Sequence, residues 1–204
     1  MVLIFLIMFN YHNEIYIYIL QSDYENSFFI KDYSKNKNNS IEPMDWLWQK
    51  PKQYTPLYFK RRVGDKDKKN YKSDISTTTN PLIIISENTW HSLKDILEPR
   101  GVLLDIITES KRKKFFGYYP KNSVTYGSLD LELSDYSDYS KDSFYPSGKM
   151  VRKAVLKESK IDRDYIFSIA ESPMKIFVDG KFKKRVEEAG LICFDFSYEI
   201  ELST

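Results

Sequence analysis

The chain has 204 residues, of which 42% are hydrophobic and 29% charged, values ordinary for a globular protein large enough to bury a core. Its 31 basic and 29 acidic residues leave a net charge of +2, which argues against a dedicated nucleic-acid binder because such proteins usually carry a marked basic excess. With 7 glycines and a single cysteine, Cys193, the composition also argues against phosphate-cradling loops and an internal disulfide, so we expect a protein of the reducing cytoplasm.

The chain begins with an apolar run, residues 2–9. A membrane helix needs about 20 apolar residues, and a signal peptide normally begins with a basic region. We therefore expect no membrane segment and no secretion signal. The run is interpreted either as a buried strand or as a stretch that precedes a natural start at Met8. Residues 15–20 then alternate Ile and Tyr, which predicts a strand, and residues 28–30 are its candidate hairpin partner.

The most basic part of the chain is the segment at residues 50–72. It holds nine Lys or Arg against Asp65 and Asp67, and it is densest at residues 60–62. Basic residues interleaved with aromatic rings are typical of proteins that bind single-stranded nucleic acid. Nucleic-acid binding through this segment is therefore the alternative function. A solvated loop with a few anchoring rings is the interpretation that the balanced overall charge favours.

A polar stretch, residues 73–80, predicts a linker after the basic segment. We therefore divide the chain into an N-terminal strand and loop region, residues 1–79, and a more regular region, residues 80–204. The two regions are expected to form one compact unit.

The regular region opens with a strand–helix pattern. The apolar residues 82–85 predict a strand, and Ser86 suits a helix N-cap because its hydroxyl can accept a backbone N–H of the first turn. Trp90, Leu93, Ile96 and Leu97 then follow at helical spacing. Strands are also predicted at residues 102–107, 115–119, 151–156 and 165–169.

A second strand–helix–strand pattern lies near the end of the chain. Residues 174–178 predict a strand, Asp179 suits an N-cap, and Gly190 supplies the left-handed exit that a helix C-terminus favours. The helix between them places Phe182, Val186 and Ala189 on one face, and residues 191–196 predict a returning strand. We therefore expect an α+β fold in which a mixed or antiparallel sheet carries a few helices.

An acidic stretch, residues 128–142, separates the two patterns. Its leucines at positions 129, 131 and 133 alternate with Asp130 and Glu132, which predicts a strand with one acidic face. Acidic side chains beside exposed tyrosines make a docking surface for a basic partner, since complementary charge speeds encounter. The alternative interpretation is a strand that runs into a solvated loop. The candidate interface residues are Asp130, Glu132, Asp135, Tyr136, Asp138 and Tyr139.

Residue patterns typical of catalysis are scarce. The two histidines, His12 and His91, are far apart in sequence, and no His or Cys pair has the spacing of metal ligands. The sequence contains no phosphate loop, dinucleotide fingerprint or nucleophile elbow. Cys193 lies in an apolar run and is interpreted as a buried, inert thiol. We therefore expect no catalytic residues, no cofactor and no metal site.

The C-terminal half resembles a known protein family. Residues 156–162 read Leu-Lys-Glu-Ser-Lys-Ile-Asp and lead to Tyr-Ile-Phe at residues 165–167. An apolar strand that ends in Phe-Val-Asp at residues 177–179 follows, and then Glu-Ala-Gly-Leu at residues 188–191. This pattern is similar to the immunity-protein family of bacterial polymorphic toxin systems typified by a myxobacterial protein, formerly a domain of unknown function. The resemblance covers residues 80–200 well and the first part of the chain loosely.

The resemblance implies a function. It implies a cytoplasmic, non-catalytic protein that binds and neutralises one cognate toxin, in a one-to-one complex. The toxin would be a type VI, Rhs or contact-dependent effector delivered by neighbouring or sister cells. The motifs that carry the resemblance are caps, core strands and helix exits, so it implies no toxin-contact residues. The basic segment at residues 50–72 departs from the pattern of the family.

Overall fold

The computed structural model describes residues 15–23, 29–31, 55–61, 72–78, 81–124, 126–138 and 149–204. These residues form two six-stranded sheets, two separate pairs of strands and two short α-helices. The α+β class predicted from the sequence is confirmed. The arrangement differs from the prediction, because strands dominate and are divided between two large sheets, whereas the sequence pattern predicts one sheet that carries a few helices.

The first sheet is mixed and joins the two ends of the described chain. Strand β1 (Ile17–Ile19) lies between β14 (Ser172–Asp179) and β16 (Glu199–Ser203) and is antiparallel to both. The other strands of the sheet are β12 (Val155–Lys157), parallel to β16, β13 (Ile166–Ile169), antiparallel to β14, and β9 (Ser123–Val124), parallel to β13. The prediction that residues 28–30 form a hairpin with the first strand is therefore wrong.

The second sheet is built around a central hairpin of two long strands. Strand β7 (Gly101–Thr108) pairs with β8 (Phe115–Pro120), whose other neighbour is β6 (Ile83–Ser86). The remaining strands are β5 (Ile75–Thr77), antiparallel to β6, β4 (Leu57–Arg61), parallel to β7, and β3 (Phe29–Lys31), antiparallel to β4.

The stretch predicted to be a polar linker, residues 73–80, instead supplies β5 of the second sheet within its described residues 73–78. Its Asp74 is buried, and the carboxylate accepts hydrogen bonds from the Ser86 hydroxyl at 2.6 Å and the Lys113 ammonium at 2.7 Å. The second oxygen of Asp74 accepts the backbone N–H of Ile192 at 3.1 Å. Because the buried polar groups have hydrogen-bond partners, polar residues can lie in the interior at this position.

Both predicted helix starts are confirmed. Helix α1 (Glu87–Leu97) is capped by Ser86, whose hydroxyl accepts the N–H of Thr89 at 3.1 Å. Helix α2 (Gly180–Glu188) is capped by Asp179, whose carboxylate accepts the N–H of Phe182 at 2.8 Å. A 3-10 turn (Glu98–Arg100) follows α1, and a second one (Glu158–Lys160) follows β12. Gly190 takes the left-handed conformation after α2, with φ +62°.

The largest apolar core is shared by the two sheets. It contains residues of the first sheet such as Tyr18 and Val178, residues of the second such as Ile85 and Tyr118, and the buried faces of both helices. On α1 the predicted face is confirmed, with Leu93, Ile96 and Leu97 buried and Trp90 packed against the core. On α2, Phe182 and Val186 are buried but Ala189 is exposed.

Two predicted strands differ in extent from those observed. The strand predicted at residues 151–156 breaks at Ala154 into β11 (Lys149–Lys153) and β12. Within residues 191–196 only β15 (Phe194–Asp195) is extended and paired, with β2 (Gln21–Ser22). The preceding residue, Cys193, has φ +69°, a left-handed conformation that interrupts the strand. In the described part of the chain, no helix is long and apolar enough to cross a membrane.

Candidate functional site

The predicted interface residues lie on and beside a two-stranded ribbon outside the two large sheets. Strand β10 (Asp135–Asp138) pairs antiparallel with β11, so that Tyr136 stands opposite Val151 and Asp138 opposite Lys149. Val151 is buried, and Tyr136 packs on the same apolar cluster of the first sheet. One face of the ribbon is therefore anchored to the core, which leaves the other face to solvent.

The turn that leads into the ribbon is held by a buried carboxylate. Glu171 accepts hydrogen bonds from the N–H of Gly127 at 2.6 Å, the hydroxyl of Ser128 at 3.1 Å and the N–H of Leu129 at 3.4 Å. Leu129 is itself buried and bridges to Leu156 of β12. The start of the turn is thus fixed by polar contacts on one side and apolar packing on the other.

The prediction of a strand with one acidic face at residues 129–133, made from the leucine alternation, is wrong. Residues 131–134 form a turn because one oxygen of Asp130 accepts the N–H groups of Glu132 at 3.0 Å and Leu133 at 3.3 Å. The other oxygen accepts the hydroxyl of Ser203 at 2.8 Å. This hydroxyl contact, more than the backbone bonds, lowers the pKa of Asp130. Asp130 is therefore a turn residue, and Glu132 is left exposed beside it.

The two acidic side chains of β10 are neutralised by cations of β11. Arg152 binds both carboxylate oxygens of Asp135 and also reaches the hydroxyl of Ser137 at 3.3 Å. The hydrogen bond from this guanidinium lowers the pKa of Asp135. Lys149 binds Asp138 and lies 4.3 Å from the ring centroid of Tyr136. Tyr139, the last of the predicted interface residues, lies outside the described residues.

Exposed apolar side chains concentrate at the turn and ribbon. Tyr126 is 60% exposed, Leu131 46%, Leu133 56% and Met150 52%. We call this set the ribbon surface: Tyr126, Leu131, Glu132, Leu133, Asp135, Met150 and Arg152. A local group of exposed apolar residues rimmed by charged ones is typical of a protein interaction site.

The sequence pattern does not indicate the β11 half of this surface. Arg152 belongs to the strand predicted at residues 151–156 and Met150 lies just before it, but no local signal shows that the partner of this strand is the acidic segment. The sequence does indicate a strand with two faces here, since Lys149, Val151 and Lys153 alternate with Met150 and Arg152. This periodicity does not indicate which strand pairs with it.

The basic segment at residues 50–72 is described at residues 55–61 and 72. Its residues 57–61 form β4, with Leu57 and Phe59 buried, so this part is a sheet strand rather than a solvated loop. The nucleic-acid alternative for this segment remains a prediction.

Two side chains of types used in catalysis, His91 and Cys193, lie in the described part of the chain. His91 is exposed on α1, and Cys193 is half-buried, with burial raising the pKa of its thiol. Among the described residues, no group of three or more His, Cys, Asp or Glu could hold a metal ion. His12 lies outside the described residues.

Comparison with known proteins gives no further guide to this site. No protein-family model matches the chain, and no curated protein matches it.

Proposed function

We propose that this chain is an immunity protein that binds one bacterial protein toxin and neutralises it in the cytoplasm. The observation that carries the proposal is the ribbon surface, where exposed Leu133 and Met150 each stand two residues before a member of the Asp135–Arg152 ion pair, and exposed Leu131 lies on the turn that leads into the ribbon. The sequence resemblance of the C-terminal half to an immunity-protein family supports the choice of a toxin as the partner.

The ribbon surface has the properties of an interface that binds with little rearrangement. Asp130 holds the turn that carries Leu131 and Leu133, and Glu171 holds the residues just before it, so the backbone of this turn is already ordered before binding. A surface that is already ordered loses less conformational entropy when a partner docks. Three exposed apolar side chains would then serve as anchors, and the charged rim would exclude water around them.

The charge pairing of the ribbon changes the expected chemistry of the partner. A basic partner is the expectation from the acidic sequence, but Asp135 and Asp138 already have cations bound. We therefore propose that apolar contact contributes most of the affinity and that Glu132 supplies a smaller electrostatic contribution. Binding of this kind weakens little as salt is raised, because salt screens exposed charges and leaves apolar burial in place.

Co-purification from the native cells tests the proposal. The tagged chain should recover one stoichiometric protein partner that is toxic when expressed alone and harmless when co-expressed with this chain. A variant with Leu133→Ser and Met150→Ser is the negative control, since it removes two anchors that are more than half exposed, and thermal melting checks that it is folded. Recovery of nucleic acid alone, or a partner whose toxicity persists on co-expression, would contradict the proposal.

A further inference from the structure

A second surface lies at the hairpin loop between β7 and β8, residues 109–114. The loop carries four consecutive cations, Lys111, Arg112, Lys113 and Lys114. Of these, Lys111, Arg112 and Lys114 are exposed. We call this loop the basic hairpin. A run of cations on a loop is usually only a solvated face, so its backbone and its surroundings decide whether it forms a site.

The backbone of the basic hairpin is held in place from within and from outside. The hydroxyl of Ser110 donates to the carbonyl of Lys113 at 2.7 Å and accepts its N–H at 3.1 Å. The N–H of Glu87, the first residue of α1, donates to the carbonyl of Lys114 at 3.0 Å. The ammonium of Lys113 is bound to buried Asp74 at 2.7 Å. The exposed cations therefore project from a loop whose backbone is already ordered.

A groove adjoins these cations. It has a volume of 420 Å³, and Ile106, Ile107 and Phe115 supply its apolar lining. Ile107 is 48% exposed, although it lies on a strand of the second sheet. The groove is thus lined mainly by polar and charged residues, four of them cations and one of them Glu87, with an exposed apolar side chain at Ile107.

The sheet topology brings more basic residues to the same end of the molecule. Because β4 is parallel to β7, with Tyr58 opposite Ile107 and Phe59 opposite Thr108, the C-terminal end of β4 lies beside the start of the basic hairpin. That end carries Lys60 and Arg61, from the basic segment at residues 50–72. The described end of β4 therefore brings Lys60 to the end of the second sheet that carries the basic hairpin.

We propose that the basic hairpin and its groove dock an acidic protein segment in which carboxylates alternate with apolar side chains. Carboxylates would pair with Lys111 and Arg112, while an apolar side chain would cover Ile107. This choice does not depend on toxin binding at the ribbon surface.

Two observations favour a protein segment over a nucleic acid at this surface. The aromatic rings in contact with Lys113 and Lys114, those of Phe115 and Phe116, are buried, so these two rings offer no exposed face on which bases could stack. The exposed side chain of Ile107 also lines the groove, and it suits an apolar side chain of a protein segment better than a charged phosphate backbone, whereas Glu87 would repel either kind of anion.

Fluorescence anisotropy tests the proposal with three labelled probes. The first is a twelve-residue peptide that repeats Asp-Leu-Glu, the second replaces each Asp and Glu by Asn and Gln, and the third is a twenty-nucleotide thymidine strand. The acidic peptide should bind the full chain about tenfold more tightly than the amide peptide at low salt and should weaken as salt rises.

Variants locate the binding. The pair Lys111→Glu and Arg112→Glu should weaken the acidic peptide about tenfold or more. The matched pair Lys121→Glu and Lys160→Glu changes the charge equally at exposed positions outside the hairpin and should leave the affinity unchanged. Ile107→Ser, which keeps every charge, should weaken the acidic peptide as well. Thermal melting checks that each variant is folded.

Three outcomes overturn the proposal. Equal binding of the acidic and amide peptides would show that the cations are not used. Equal effects of the two charge-reversal pairs would show that the hairpin is not the site. Tighter binding of the thymidine strand than of the acidic peptide, lost in the Lys111 and Arg112 variant, would assign the surface to nucleic acid instead.

Discussion

The guanidinium of Arg185 on α2 binds the carboxylate of Asp95 on α1 through two nearly parallel hydrogen bonds, of 2.9 and 3.0 Å. The same guanidinium reaches the carbonyl of Ser92 at 3.3 Å. Helix α2 follows a strand of the first sheet and α1 follows a strand of the second. This pair therefore connects the two halves of the fold at the rim of their shared core.

The ion pair predicts a dependence of stability on pH. The hydrogen bond from Arg185 lowers the pKa of Asp95 in the folded protein. A lowered pKa stabilises the fold above the unfolded pKa of about 3.9, and this stabilisation is lost as the pH falls through the folded value. Asp95→Asn should therefore reduce the free energy of unfolding at pH 7, by less than about 1 kcal/mol because Asp95 is largely exposed and Arg185 partly so.

Urea unfolding of the wild type and of Asp95→Asn at several pH values measures this effect. The difference between the two proteins should be constant near neutral pH and should shrink as the pH falls below about 4. A difference that is the same at pH 7 and at pH 2.5 would show that the ionised carboxylate is not its source.

Gly101 lies against the buried ring of Tyr118, and this contact predicts a steric requirement. A Cβ at position 101 would stand 2.6 Å from Cε2 of that ring and closer still to Cζ and the hydroxyl. The ring is fully buried, and its hydroxyl donates to the carbonyl of Leu97 at 2.9 Å, so it cannot move aside freely. Gly101→Ala should therefore lower the free energy of unfolding by about 1–3 kcal/mol.

Gly180 provides the matched control for this substitution. Its nearest neighbour for an added Cβ is Cβ of Tyr16 at 3.7 Å, an ordinary contact. Gly180→Ala should change the unfolding free energy by no more than about 0.5 kcal/mol in the same urea titration. Equal stability of the two alanine variants would contradict the close approach of Gly101 to Tyr118.

The buried carboxylate of Glu171 is expected to stabilise the turn that leads into the ribbon surface. Glu171→Ala would leave the hydroxyl of Ser128 and the N–H of Leu129 buried without their acceptor. Each buried donor left without an acceptor lowers the free energy of unfolding by about 1–3 kcal/mol. Hydrogen exchange should accelerate at residues 126–138 and 149–153 more than in α1. Uniform acceleration along the chain would mean that Glu171 supports the fold generally and not the turn.

The single thiol predicts slow chemical modification. Burial raises the pKa of Cys193, so the native protein contains little of the reactive thiolate at neutral pH. Iodoacetamide should label the folded chain more slowly than the urea-unfolded chain at pH 7.5, with the rate followed by mass spectrometry. Equal rates in the two states would show that the thiol is as accessible and as acidic as in an unfolded chain.

The parts of the fold that sequence reasoning predicts correctly depend on local chemistry. Ser86 and Asp179 accept backbone N–H groups three residues further along, so each helix start is determined by residues that are adjacent in sequence. The same holds for Gly190, whose left-handed conformation ends α2. Such short-range signals need no knowledge of the tertiary fold.

Strand partners and the candidate site could not be predicted in the same way. Strand β1 lies between two strands from the far end of the chain. Sequence periodicity shows which residues of a strand share a face, but it does not show which strands are its neighbours. At the candidate site, the leucine alternation favours a strand, but the side chain of Asp130 captures two backbone N–H groups and forms a turn. The cations that neutralise Asp135 and Asp138 come from β11, whose pairing is likewise non-local.

The affinity of the ribbon surface for the co-purified protein partner tests the central claim most directly. Calorimetry would compare the variant with Leu133→Ser and Met150→Ser against a matched variant with Ile192→Ser and Tyr198→Ser, which truncates side chains that are 46% and 41% exposed elsewhere. If the ribbon surface is the toxin interface, the first variant should bind about a hundredfold more weakly than wild type and fail to protect cells, while the second binds normally. Equal affinity of both variants and the wild type would contradict the assignment.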